Sequence, residues 1–158
     1  MLIRLQLYQL YLHPSNEAVI HRLYIRPCSS NPLVQTTIGS QLRAAAQSEI
    51  IKASVQSGSR QRIDEVQIMR DADEAFEALS TLLGDSRWFF EGATNDENVE
   101  GAPSLFDAAV FAYTHLILDD AKGDGGNIMN WTANPLGTGL RGHENLVSHR
   151  NRLMKMYF

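Results

Sequence analysis

Between Ile63 and Leu83 apolar residues return at spacings of three and four: Ile63, Val66, Met69, Ala72, Phe76, Leu79 and Leu83. Asp64, Glu65, Asp71, Asp73, Glu74 and Glu77 fall largely elsewhere around the wheel, so the period predicts an amphipathic helix, with Gly84 as its left-handed stop. Upstream, Leu2 to Leu12 is apolar at several spacings and ends at His13-Pro14, because the residue before a proline is pushed out of the α region. Glu17 to Ile25 fits a short helix or an extended segment, and its periodicity does not decide between them. Asn31-Pro32 supplies an N-cap with proline at the first helical position. Val34, Ile38, Leu42, Ala45 and Ala46 then mark one face of a helix predicted to run to about Ala53. Ser57-Gly58-Ser59 breaks it, and the polar stretch near 54–61 reads as a flexible linker or loop.

The second half turns on Ser104 and Asp107, which stand at N-cap and N3 spacing before a long apolar run. Each side chain can accept a backbone N–H that the first helical turn leaves without a partner, a capping box with Asp in the Glu position. The helix it opens carries Leu105, Phe106, Ala109, Val110, Phe111, Tyr113, Leu116, Ile117 and Leu118 around its whole circumference. That pattern predicts a central post surrounded by other helices. Asp119 to Gly142 is rich in Gly, Asn and Thr and reads as an irregular crossing anchored by Trp131. A last helix starts near Gly142 with Leu146, Val147, Arg150, Leu153, Met154 and Tyr157 on one side, and Arg150, Arg152 and Lys155 complement its dipole. No period-2 run is long enough to demand a sheet, so the fold class is all-α.

Composition narrows the class without naming a chemistry. With 158 residues, 44% hydrophobic and 20% charged, the chain suits one globular domain over residues 1–158. No run approaches the roughly 20 apolar residues a spanning helix needs, and Arg4, Gln6 and Gln9 interrupt the first segment, which therefore reads as neither signal peptide nor anchor. The single Cys28 excludes an internal disulfide and fits a reducing compartment. Net charge is −4, unevenly placed: residues 1–60 hold six Lys/Arg against two Asp/Glu, 61–120 three against fourteen, 121–158 five against two. A basic start, an acidic middle and a basic end argue against a nucleic-acid domain with one basic face. The acidic middle reads as a solvated helix face plus a loop, or as a docking surface for basic partners.

Motifs that carry chemistry elsewhere fail here on spacing. Asp96, Asn98, Glu100, Gly101 and Asp107 fall at positions 1, 3, 5, 6 and 12 of a calcium-loop template, but Pro103 intrudes and Asp107 already caps a helix. Gly123, Gly125 and Gly126 lack the Gly-Lys-Ser/Thr ending of a phosphate cradle. His143 and His149 are six apart rather than four, and His115 inside the apolar run reads as a core or subunit-contact histidine, so no metal site is expected. No Ser/His/Asp or Cys/His grouping is local enough to assign a catalytic nucleophile.

The S-x-x-D box opening a buried helix soon after a W-F-F-x-G turn resembles the C-terminal helical domain of the glutathione transferase superfamily. Within it the chain is most similar to the metaxin family, on Leu79 to Gly84 (L-S-T-L-L-G), Trp88 to Gly92 (W-F-F-E-G), Ser104 to Phe111 (S-L-F-D-A-A-V-F) and His149 to Phe158 (H-R-N-R-L-M-K-M-Y-F). The resemblance covers the last half of the chain well and the first half loosely. It implies an all-α, transferase C-terminal-like helical bundle without the thioredoxin-like N-terminal half that holds the family's thiol-activating residue. The chain is then a fragment, or another polypeptide supplies the missing partner surface, and neither catalysis by this chain nor a cofactor is expected. The resemblance implies a peripheral subunit of the sorting and assembly machinery on the cytosolic face of the mitochondrial outer membrane, helping import and insertion of β-barrel precursors. Its partners would be the machinery's barrel subunit, another metaxin-like subunit and the precursors, with peripheral membrane association and no nucleic acid. The helical half of a glutathione transferase, and a transferase-like scaffold domain of a translation complex, are the alternatives. Leu5, Tyr8 and Leu12, at helical spacing in the first segment, mark either the partner interface or ordinary core against the helix from Leu33 to Ala53.

Overall fold

The computed structural model describes residues 4–56, 65–90, 102–119 and 128–158. Among them there is no β-strand, and the fold is all-α. In chain order the elements are α1 (Arg4–Leu12), a single 3-10 turn (Pro14–Asn16), α2 (Glu17–Ile20) continuing into a π turn (His21–Ile25), α3 (Pro32–Gln56), α4 (Glu65–Leu83), α5 (Leu105–Leu118), α6 (Pro135–Arg141) and α7 (Glu144–Tyr157).

The first helix ends where Pro14 forbids its continuation, and the chain turns a corner there. Asn16 pins that corner. Fully buried, it donates through Nδ2 to the carbonyls of Leu10 at 2.9 Å and Ala133 at 2.8 Å, and its Oδ1 accepts the N–H groups of Thr132 at 3.1 Å and Ala133 at 3.0 Å. Both amide hydrogens and both oxygen lone pairs are used, which ties the α1–α2 corner to the segment ahead of α6. The ambiguous Glu17 to Ile25 stretch is helical throughout, its second half wound wider so that Arg26 N–H reaches the His21 carbonyl at 2.8 Å.

Around the core, α4 packs on α1, α6 and α7, and α5 packs on α6 and α7. Leu10, Phe76, Leu83, Ile117, Leu140 and Leu146 form its dry centre. Gly139 faces α4, where a Cβ would sit in ordinary contact with the Phe76 ring at 3.9 Å and would only have to turn the exposed Asp73 carboxylate aside. Gly84, at φ +54°, ends α4 in the left-handed conformation that glycine adopts without penalty. Trp131 is buried, as its sequence context predicts, and its Nε1–H donates to the Leu116 carbonyl at 2.8 Å.

Several periodic readings shift in the folded chain. In α4 the buried stripe is Ile68, Ala72, Ala75, Phe76 and Leu83, while Val66 is 70% exposed; Ile63 lies outside the described residues. α5 is a wall rather than a central post: Asp107, Val110, Thr114, Ile117 and Leu118 face inward, and Leu105, at 88% exposure, faces out. α3 extends through Gln56, so positions 54–56 of the expected linker are helical, and 57–61 lie outside the described residues. Its proposed face is mostly turned to solvent. Val34, Leu42 and Ala45 are exposed, Ile38 is half-buried, and of the predicted face Ala46 alone is buried, joined by Ile50, through contact with α1. The crossing from Asp119 to Gly142 contains a helix, α6, capped by Asn134, whose Oδ1 accepts Gly137 N–H at 2.8 Å. The last helix starts at Glu144 and leaves Tyr157 exposed.

Candidate functional site

Ser104 takes an extended conformation (φ −84°, ψ 173°) just ahead of α5, which aims its side chain back at the first turn. Its Oγ accepts Asp107 N–H at 3.3 Å, and Asp107 Oδ2 accepts the Ser104 N–H at 2.7 Å and the Ser104 hydroxyl hydrogen at 2.6 Å. That reciprocal pairing is a capping box. The other carboxylate oxygen does something a cap does not require. Asp107 Oδ1 accepts Phe89 N–H at 2.9 Å and the Nε2–H of His149 at 2.7 Å. Both side chains, Asp107 and His149, are fully buried.

Around this pair the rings close edge-on: Trp88 and Phe89 meet the imidazole with centroids 5.7 Å and 5.2 Å away. The guanidinium groups of Arg87 and Arg152 lie 5.3 Å and 5.8 Å over the Trp88 ring. Burial pushes the Asp107 carboxyl up, but the Ser104 hydroxyl, the two backbone N–H groups and His149 together outweigh it, and its pKa is lowered. Burial, aided by Arg152, lowers the His149 pKa against the pull of Asp107. At neutral pH the contact is therefore a neutral imidazole donating to a carboxylate. Since a carboxylate only accepts, the proton is fixed on Nε2.

Serine, aspartate and histidine meet here, but in the wrong order for a nucleophile relay. The Ser104 hydroxyl bonds the carboxylate and not the imidazole, and His149 Nδ1 is buried with no hydrogen-bond partner. The imidazole is not placed to take the serine proton, so the three residues do not form the relay of a catalytic triad. What the cluster does is bracket three parts of the chain: the turn after α4, the start of α5 and the middle of α7. His149 was invisible as a partner of Asp107 in the sequence, because the two are 42 residues apart.

A second polar group sits further along the same helices. His115, read from sequence as a core or contact histidine, accepts at Nδ1 from Arg150 Nη2 at 3.1 Å, and Arg150 Nη1 donates to Asn151 Oδ1 at 2.9 Å. Burial, reinforced by Arg150, lowers the His115 pKa, which suits an unprotonated nitrogen facing a guanidinium. Phe111 stacks on the imidazole at 5.3 Å and Phe158 on Phe111 at 5.9 Å.

Of the three residues proposed for a partner surface, Tyr8 and Leu12 are half-buried rather than open, lining a cleft of about 250 Å³ with Tyr11, Tyr24, Leu42 and Ala45. The side chain of Leu5 lies outside the described residues, as do Asp96, Asn98, Glu100 and Gly101 of the calcium template and the glycines of the 123–126 loop. Cys28 is exposed, and its thiol donates to the Tyr24 carbonyl at 3.0 Å. No helix among the described residues is long and apolar enough to cross a membrane.

A helical bundle whose capping box opens an apolar wall helix, with α6 and α7 packed against its inner face, defines the class. Residues 72–153, just over half of the chain, match the family described as glutathione S-transferase, C-terminal domain, and the chain belongs to that family. No curated protein matches it.

Proposed function

We propose that this chain is a metaxin-like, non-catalytic interaction subunit of the mitochondrial sorting and assembly machinery. In this reading it sits peripherally on the cytosolic face of the outer membrane. It contacts the barrel subunit and a second metaxin-like subunit, and it helps β-barrel precursors reach insertion. One observation supports the reading most. The four segments that carry the metaxin resemblance are not scattered over the fold: Asp107 of the S-x-x-D box holds Phe89 of the W-F-F turn and His149 of the tail, and Leu83 of the L-S-T-L-L-G segment belongs to the same buried core as Phe89. Segments that meet at a buried structural bracket, with its serine committed to a carboxylate, suit a domain that works by its shape.

The test is affinity purification of the tagged protein from isolated mitochondria under mild detergent. Recovery of an outer-membrane β-barrel protein and of a second transferase-like subunit is the expected result. Purification from the cytosol without either, or with ribosomal proteins, would overturn the reading. Calorimetry with glutathione separates the enzyme alternative: no saturable heat is expected at millimolar ligand, and saturable binding would favour the helical half of a transferase.

A further inference from the structure

The cleft between α1, the π turn and α3 has the size, lining and charge balance of a small-molecule site. About 250 Å³ is available. An apolar cavity of about 150 Å³ takes up benzene, so this volume has room for two fused rings. Tyr8, Tyr11 and Tyr24 present aromatic surface, and Leu12, Leu42 and Ala45 complete apolar walls.

Charge complementarity selects an uncharged guest. Arg43 lies on the cleft but is held 2.9 Å from Glu17, and Glu49 is held 2.8 Å from Lys52. An ionic ligand would have to draw one of these groups off its partner while its own charge lost water. A neutral polar feature of the cleft is the solvent-facing pair of hydroxyls of Tyr11 and Tyr24, 3.2 Å apart. One donates to the other, which leaves the pair one hydrogen to give and lone pairs to receive. The Tyr11 ring is set edge-on to both Tyr24 and Trp131, at 6.0 Å and 5.3 Å, so its hydroxyl is held in place from behind. Burial and the bond to Tyr24 raise the Tyr11 pKa, and the hydroxyl stays neutral. Tyr24 comes from the π turn His21–Ile25, a backbone form that appears mostly as single turns and frequently at functional sites.

We propose that this cleft binds a small, uncharged, two-ring aromatic molecule bearing one hydroxyl group, of the naphthol or hydroxyindole class, with its rings between Tyr8 and Leu42 and its hydroxyl on the Tyr11–Tyr24 pair. The proposal is independent of the import reading.

2-Naphthol is the probe, titrated into the ¹⁵N-labelled full chain and followed by amide shifts. Saturable one-to-one binding is expected, with shifts centred on Tyr11, Tyr24, Leu42 and Ala45. Naphthalene, lacking the hydroxyl, should bind about three- to tenfold more weakly, the worth of one net hydrogen bond. Naphthalene-2-sulfonate should bind more weakly than naphthol. The Tyr11→Phe, Tyr24→Phe double variant, which keeps both rings and removes both hydroxyls of the pair, should erase the difference between naphthol and naphthalene, and Ala45→Phe should fill the cleft and abolish binding of both. Absence of saturation, shifts centred elsewhere, equal affinity for naphthol and naphthalene in the parent chain, or tighter binding of the sulfonate would each overturn the proposal. The comparison of probes on the parent chain decides it even if a variant fails to fold.

Discussion

Replacing Asp107 tests the bracket most directly, because the two obvious substitutions are expected to differ by a calculable margin. Asp107→Asn preserves shape but puts an amide NH₂ where one carboxylate oxygen accepted two hydrogens. Turned toward Ser104, the NH₂ leaves Oδ1 facing Phe89 N–H and His149 Nε2–H, the two fully buried donors. The Ser104 hydroxyl can rotate to accept, but the Ser104 N–H, at a half-open position, loses its partner. One of the four bonds to the charged group is lost and the other three become neutral, which costs about 2 kcal/mol or somewhat more. Asp107→Ala strands both buried donors at about 1–3 kcal/mol each and removes the cap for about 1 more, or about 3–7 kcal/mol together. A domain of this size has about 5–15 kcal/mol to lose, so the Ala variant should be close to unfolded while the Asn variant folds. Urea melts followed by circular dichroism read this out: with a slope of about 1–3 kcal/mol per molar, the Asn midpoint should fall by roughly 1–2 M. An Asn midpoint equal to the parent, or an Ala variant no worse than Asn, would refute the assignment of buried donors to this carboxylate.

Stability should also fall with pH below about 6.5. His149 and His115 both have lowered folded-state pKa values, so their contribution is complete above the unfolded value and is lost as the unfolded chain takes up protons first; a urea midpoint unchanged between pH 7.5 and 5.5 would contradict this. Ser104→Ala should cost about 0.5–2 kcal/mol, since Asp107 N–H loses its acceptor at a half-open helix end, and a coincident denaturant midpoint would defeat the capping role. Asn16→Asp turns a carboxylate oxygen on the carbonyls of Leu10 and Ala133 in a fully buried site and should cost about 3 kcal/mol or more, measured by the same melts. Asn16 and Asp107 share no hydrogen-bond partner, so the Asn16→Asp, Asp107→Asn double variant, if it still folds, should lose the sum of the single losses to within about 0.5 kcal/mol. A larger coupling would mean that both sit in one network.

Helix existence was legible where a clear hydrophobic period or an uncontradicted cap marked it, as the period does for α4 and the Ser104–Asp107 box for α5. Asn31-Pro32 announces α3, and Leu33 N–H does bond Asn31 Oδ1 at 3.0 Å. Asn134-Pro135 is the same signature and opens α6, yet Gly137 and Gly139 made the segment read as loop. The glycines do not stop the helix, because Asn134 caps its first turn and Leu136 and Leu140 are buried against the core, so low helix propensity is overridden by capping and burial. Which face is buried was less legible. Hydrophobicity favoured Val66 over Ala75, but close helix approach wants the small residue inward.

The polar interior was the least legible part, for a physical reason. A hydrophobic scale assigns Asp107 and Thr114 to the surface of α5 and Leu105 to its core, whereas the fold does the reverse. Thr114 is affordable inside because its hydroxyl returns to the Val110 carbonyl at 2.9 Å, a bond made within its own helix. Asp107 is affordable because donors converge on it from two other parts of the chain. Spacing along the chain can reveal the first kind of satisfaction and half of the second: Ser104 was readable three residues away, while Phe89 and His149 were not. A carboxylate at N3 of a strongly apolar helix that must face inward implies such distant donors, and a histidine and an aromatic turn are the residue types to seek, but only the packing of α7 across α5 says which ones arrive.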